Sequence, residues 1–293
     1  MVTVTAFAPG HISGFFAPVI TPNNMVQSGS IGAGVSISLG ATSEVEIVAA
    51  PKKQLTVVIN NKPSPAPVTT LALYHLLGDT PVKIQVKTKL DVPMGQGFGM
   101  SAAGALSATL AAAKALQQPS SDALIAAHKA EVELRTGLGD VLASSFGGVE
   151  IRKSAGLPPW GLIEHIPGIF EMVLCAVGKK IKTKQVLTDN QRIKTISSVG
   201  RLCTKQLLDH PSIEHFFTLS YQFSVKTGLA NEKIQQIVQR IQAVSYASMC
   251  MLGNSIFAMG KTSQLCQLLA PYGRLYVCTV DTQGARVLSY TGL

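Results

Sequence analysis

The chain has 293 residues, 46% of them hydrophobic and 14% charged. That is enough apolar material for one large domain or two, and too little charge for a disordered, solvating chain. Five cysteines scattered from Cys175 to Cys278, with no C-x-x-C pair and no Cys/His cluster, argue against a disulfide scaffold or zinc module and for reduced thiols in a cytosol.

The net charge of +9 is uneven: residues 1–150 hold nine Lys/Arg and nine Asp/Glu, the remainder sixteen against seven. A basic second half suits anionic partners and also keeps a protein soluble. The densest run, Gly178 to Lys184, has no interleaved aromatics and reads as a solvated loop, with anion steering as the alternative. The first 43 residues carry no Asp, Glu, Lys or Arg, yet Pro9, Pro18, Pro22 and scattered Gly break every apolar run short of the ~20 residues a membrane span needs. No basic start precedes an apolar stretch, so no signal peptide is expected. A soluble cytoplasmic protein without a membrane partner is the expectation.

Val2 to Phe7 alternates and reads as a strand entering a Pro-Gly turn; Gly34–Leu39, Glu44–Val48 and Leu55–Ile59 read as further short strands. Lys62 to Pro67 is a loop by composition, Val68–Leu77 a short helix, and Val82–Leu90 an alternating strand. A glycine-rich loop then leads into an Ala-rich helix from about Met100 to Leu116. A second helix runs from Ser121, as N-cap, to Arg135, and Gly147–Arg152 returns as a strand. Leu157-Pro158-Pro159-Trp160-Gly161 is the best boundary between an α+β unit, 1–157, and a second unit, 158–293. In the latter a strand (Met172–Val177) precedes helices near Thr188–Leu208, Ser212–Thr227 and Glu232–Met251. A helix near Ser263–Ala270 and the strand Leu275–Val280 close the chain.

The sharpest chemical signal is Pro93-Met94-Gly95-Gln96-Gly97-Phe98-Gly99-Met100-Ser101-Ala102-Ala103-Gly104, set between a strand and a helix. Glycines remove the Cβ atoms that would keep backbone N–H groups from a phosphate chain, and the helix start adds free N–H groups and the positive end of its dipole. The Ser101 hydroxyl lies in the first turn, within reach of a phosphate-bound Mg²⁺. The loop has no Walker A lysine and no acid at the Rossmann offset. A purely structural glycine turn is the competing reading of the loop alone.

On the next helix His128 and Glu131 share a face, and Thr136-Gly137-Leu138-Gly139-Asp140 breaks the helix and puts an acid on a tight turn, with Arg152 on the following strand. Beside a phosphate loop this set is a candidate for phosphoryl transfer; alone it reads as a surface helix and a turn aspartate. Two charge-free polar segments, Pro9–Phe16 and Ser28–Gly34, suit the lining of a pocket.

These segments in this order resemble the GHMP kinase superfamily. The finer pattern, A-P-G-H-I-S-G-F-F at Ala8–Phe16, G-S-I-G-A-G at Gly29–Gly34, G-F-G-M-S-A-A-G-A-L at Gly97–Leu106 and H-K-A-E-V-E-L-R-T-G-L-G-D-V at His128–Val141, is similar to archaeal pantoate kinases. The resemblance implies an α+β fold: a first domain like domain 2 of ribosomal protein S5 and a ferredoxin-like second domain, with the site between them. It implies transfer of phosphate from ATP, with Mg²⁺, to the 4-hydroxyl of (R)-pantoate on the archaeal route to coenzyme A.

In the roles it implies, Pro93, Gly95, Gly97, Phe98, Gly99, Met100, Ser101 and Ala102 bind ATP. Ser101 and Glu131 hold Mg²⁺, Asp140 is the base, and Ser30, His128 and Arg152 bind pantoate. The first motif has Gly14-Phe15-Phe16 where many relatives carry G-E-H, against a sugar or mevalonate substrate, and the third glycine-rich motif is reduced to Gly253. Kinases for homoserine, shikimate or mevalonate, and a basic RNA-binding protein, are the alternatives. Nucleic acid is not an expected partner of the kinase, and a homodimer is left open.

Overall fold

The computed structural model describes residues 2–178 and 190–292; the lysine-rich run from residue 179 lies outside them. Two long strands, β1 (Val2–Val19) and β2 (Gly29–Ala49), pair antiparallel along nearly their whole length. Pro9-Gly10 does not turn the chain as the dipeptide suggests. The ladder shifts register between Pro9 and Gly10 and again between Ser13 and Phe15, and such bulges absorb an extra residue without ending a strand. Phe7, Ala8, Ile12, Phe15 and Phe16 are all buried on this strand, which accounts for the charge-free opening of the sequence.

On the side away from β1, strand β2 divides its edge. Ala41–Ala49 pairs with β5 (Val82–Leu90), while Gly32–Val35 pairs with β6 (Val149–Arg152). Strands β3 (Gln54–Ile59), β4 (Lys62–Pro63), β7 (Ile163–Ile166) and β12 (Arg286–Gly292) complete an eight-stranded sheet among the described residues. In β5 the expected alternation holds, with Val82, Ile84 and Val86 buried and Lys83 and Lys87 outside. Strand β12 was not expected. Its residues are mostly exposed, so it carries no buried face for the sequence to reveal.

Helices α1 (Pro67–Leu77), α2 (Met100–Ala115) and α3 (Ser120–Leu134) pack together, with α2 directly on β1 and β2. Neighbours surround α2 on all sides, and its Ala, Gly and Ser residues let backbone approach backbone there. The cap of helix α3 lies two residues earlier than the sequence suggests, at Pro119 rather than Ser121. Asp140 is not part of a simple turn. It opens a short helix, α4 (Asp140–Phe146), and Gly147 and Gly148, at φ +77° and +81°, delay the following strand to Val149.

The second sheet has β8 (Glu171–Ala176), β9 (Tyr246–Met249), β10 (Ser255–Met259) and β11 (Arg274–Thr279), antiparallel throughout in the order β11-β8-β10-β9. Numbered from β8, that is 4-1-3-2, the ferredoxin-like order. Helices α5 (Asn190–Asp209), α6 (Ile213–Lys226) and α7 (Glu232–Gln242) connect β8 to β9, and α8 (Thr262–Leu269) connects β10 to β11. The helix expected over 232–251 ends at Gln242. Ile234, Ile237, Val238 and Ile241 keep the helical spacing, but Tyr246–Met249 forms a hairpin with β10.

One core cluster runs through both sheets, and a second lies between the first sheet and α1–α3. Phe15 and Phe16 of β1 meet Phe216 and Phe223 of α6, with Phe15–Phe216 and Phe16–Phe223 ring centroids 6.1 and 5.6 Å apart. Strands β7 and β12 follow residue 157 in sequence, yet both hydrogen-bond within the first sheet. No helix among the described residues is long and apolar enough to cross a membrane.

Candidate active site

The glycine-rich loop holds its shape through backbone angles that side chains resist. Gly95, Gly97 and Gly99 have φ +75°, +78° and +65°, the left-handed region. Gly99 is also the N-cap of α2, and a Cβ on it would sit 2.8 Å from the backbone nitrogen of His11. A Cβ on Gly97 would lie 2.8 Å from the Met251 carbonyl oxygen. The loop is therefore clamped between β1 and the turn 250–255: His11 N–H donates to Phe98 O at 3.1 Å, and the Ser255 hydroxyl donates to Gln96 O. Helix α2 has neither an acidic residue in its first turn nor a side-chain cap, so its first N–H groups stay available to an anion.

A cavity open to solvent lies in front of this helix end. Ser30, Gly95, Gly97, Phe98, Gly99, Met100, Ser101, Ala102, Glu131 and Asp140 all line it, as do His11, Ser13, Met251 and Leu252. Residues from five separate segments of the chain thus meet in one place. A second, more apolar hollow shares Met100 and Ser101 with it and is bounded by Ile59, Ser64–Thr69, Leu90 and Met94.

Three expected residues stand off the cavity wall. Pro93 precedes the loop. His128 is buried, and its Nε2 donates to the carbonyls of Met25 and Ser28 at 3.1 and 2.9 Å, which ties α3 to the turn that delivers Ser30. Burial lowers the His128 pKa, against the pull of those two carbonyls, so the ring is neutral with the proton on Nε2. Arg152 is fully buried behind Gly139 and Ser30: a Cβ on Gly139 would meet Ser30 Oγ at 2.5 Å and Arg152 Nε at 2.9 Å. Arg152 Nη1 donates to Glu150 Oε1, while Nε and Nη2 have no partner.

The electrostatic centre is a residue the sequence did not single out. His11 is buried; its Nδ1 donates to Asp140 Oδ1 at 2.6 Å and its Nε2 to Glu150 Oε1 at 2.8 Å. With both ring nitrogens donating to carboxylates, it is an imidazolium. Burial opposes that charge, but Glu150 and Asp140 outweigh it and raise the pKa to about 9. Burial also works against ionised Asp140, and here the hydrogen bond and charge of His11, with the Arg152 charge and the Ser13 hydroxyl, hold the carboxyl below its usual range.

Asp140 keeps a quarter of its side-chain surface open to the cavity, so it is an ionised acid facing bound ligands. Glu131 goes the other way: burial first, then the Asp140 charge, push its pKa well up, against the Val141 N–H and His11. A cation placed beside it would reverse that. Glu150 stands two residues before Arg152 on one strand, hence on the same face, and that spacing is the signal for it in the sequence.

The arrangement offers amide donors for a polyanion and an ionised acid around one cavity, with an unpaired guanidinium edge buried behind Gly139 and Ser30 of its wall. The family of the GHMP kinases N terminal domain matches residues 68–148. A pantoate kinase of Methanocaldococcus jannaschii is 35% identical to this chain over 276 residues, 94% of this chain and 99% of the relative. A pantoate kinase of Thermococcus kodakarensis is 34% identical over 265 residues, 87% of each chain. A solved structure described as a phosphotransferase related to the CoA biosynthesis pathway superposes with a TM-score of 0.89 at 30% identity, covering 98% of both chains.

Proposed function

This chain belongs to the pantoate kinases within the GHMP kinase superfamily, and from that premise we propose that it transfers the γ-phosphoryl group of ATP to the 4-hydroxyl of (R)-pantoate, in archaeal coenzyme A biosynthesis. The observation that carries the reading is the bare edge of Arg152. Its Nε and Nη2 are buried and unpartnered beside Ser30 and Gly139, and unpaired buried donors are costly unless something fills them. That edge matches the two oxygens of a carboxylate. Phe16, Leu138, Met251 and Leu252 on the cavity wall suit the gem-dimethyl group between the carboxylate and the 4-hydroxyl. Ser30 supplies a hydroxyl to the same substrate, and His128 serves it through the turn it holds.

The triphosphate lies along Gly95–Ala102 at the start of α2, and the hollow bounded by Ser64–Thr69 accepts the purine. Among the described residues no three acidic, His or Cys side chains could cage a metal, which suits Mg²⁺, an ion that keeps waters and takes phosphate oxygens beside one or two protein ligands. Ser101 and Glu131 both line the cavity, and Glu131 lacks a cationic hydrogen-bond partner, so these two would hold it; its chemistry there is to offset charge on the phosphate oxygens.

Asp140 accepts the proton of the 4-hydroxyl as that oxygen bonds to the γ-phosphorus and the bond from phosphorus to the β–γ bridging oxygen breaks, releasing ADP. His11 keeps Asp140 ionised and aimed.

The relatives do not favour homoserine, shikimate or mevalonate as acceptor, nor an RNA-binding role. The test is ADP release over a panel of those three acids, pantoate, and pantoamide, in which an amide replaces the carboxylate. Saturable turnover with pantoate and little with pantoamide is expected. Preference for another acid, or indifference to the carboxylate, overturns the reading.

A further inference from the structure

Arg152 and Asp140, which the reading above places on the acceptor's carboxylate and hydroxyl, do not touch, yet a buried chain of charges joins them: Arg152, Glu150, His11, Asp140. A single oxygen, Glu150 Oε1, accepts from both Arg152 Nη1 and His11 Nε2. The other oxygen, Oε2, has no partner, and neither has the Arg152 edge turned from Glu150. His11 lies on β1 and Glu150 on β6, with β2 between them. The bond crosses β2 at Gly34, which pairs with Glu150 in register and on which a Cβ would fall 2.2 Å from His11 Nε2. The absence of a side chain at 34 is a requirement of space, and it opens the sheet for this one contact. The four side chains are neutral as a set, two anions and two cations, so no member can be lost without leaving a buried charge uncompensated.

Resting on the proposed function, we infer that Glu150 is a positioning residue for the kinase reaction: through one carboxylate oxygen it fixes both the arginine that takes the acceptor's carboxylate and the imidazolium that aims Asp140, so that seating of the acceptor and alignment of the base are coupled. A carboxylate arriving on the free edge of Arg152 draws on the same guanidinium that Glu150 holds, and Glu150 passes the change to His11 and Asp140. A neutral acceptor lacks that handle. An ion network that only held the sheet together would treat charged and neutral acceptors alike.

The test is Glu150→Gln, assayed with pantoate and with pantoamide at saturating ATP, its folding checked by near-UV circular dichroism and by its KM for ATP. The amide keeps the shape and one acceptor oxygen but removes the charge. The expected result is a drop in kcat/KM of about 10- to 100-fold for pantoate, the range for one charge-assisted hydrogen bond. A much smaller drop is expected for pantoamide, so that the preference between them narrows. His11→Asn is the second variant: its amide reaches Asp140 in place of Nδ1 but not Glu150, and kcat should fall with the KM for pantoate little changed. An unaltered pantoate-to-pantoamide ratio in Glu150→Gln, or full kcat in His11→Asn, overturns the coupling while leaving the kinase reading intact. Wild-type protein inert toward pantoate sinks both.

Discussion

Replacing Asp140 by Asn removes the proton acceptor and one of the two anionic charges that balance His11, while keeping the shape of the side chain. The side chain opens a quarter of its surface to the cavity and receives His11 Nδ1 at 2.6 Å; an amide oxygen can receive the same N–H, so the ring and the α4 start keep their places. What is lost is basicity at the reacting hydroxyl. A positioned base contributes about 10²- to 10⁴-fold, or about 3–5 kcal/mol of barrier at 1.36 kcal/mol per decade. The triphosphate loop does not contact the changed atom, so the KM for ATP should move by less than a factor of about three. A coupled ADP-release assay gives kcat and pantoate KM at saturating ATP, and calorimetry gives ATP affinity. More than half of wild-type kcat in Asp140→Asn would refute the assignment of the base; so would a loss of activity traced wholly to weaker ATP binding.

Further outcomes follow from the same geometry. The folded-state pKa of His11, about 9 against 6.5 in the unfolded chain, is a raised value, so its stabilisation is complete below pH 6.5 and disappears as pH climbs through 9. It amounts to about 3 kcal/mol for this buried group. Denaturant midpoints should fall across that window in the wild type and flatten in His11→Asn; parallel curves would mean the imidazolium is absent. Gly253→Ala would set a Cβ 2.0 Å from the Gln96 carbonyl oxygen. The loop must yield, and the KM for ATP should rise by about tenfold or more, with an unchanged KM showing that the clamp from the second sheet does not shape the phosphate site. Glu131→Gln deletes the acid assigned to Mg²⁺ and should raise the half-saturating Mg²⁺ concentration about tenfold or more at fixed ATP. An unaltered Mg²⁺ titration would remove Glu131 from the metal.

The sequence alone determined the parts whose cause is local. Gly95, Gly97 and Gly99 mark a loop open to a phosphate chain, the Ala-rich run marks a helix over 100–116, and the 82–90 alternation marks a strand with two faces. Each is set by a residue and its near neighbours; the joining of the phosphate loop, Ser101, Glu131 and Asp140 into one site is what the resemblance to the GHMP kinases implies.

Only the tertiary structure decided the rest. His11 lies 129 residues from Asp140 and 139 from Glu150, and no periodicity links them; the sheet order β1-β2-β6 and the empty position at Gly34 bring them together. The resemblance implies His128 on the acceptor, and it is the fold that packs its ring against the carbonyls of Met25 and Ser28. Strand β12, exposed along most of its length, had no buried face to print a pattern on the sequence. Propensity and patterning report what a residue's own backbone and burial demand. Which distant charge neutralises a buried histidine is fixed by packing, because buried ions must find partners wherever the fold happens to place them.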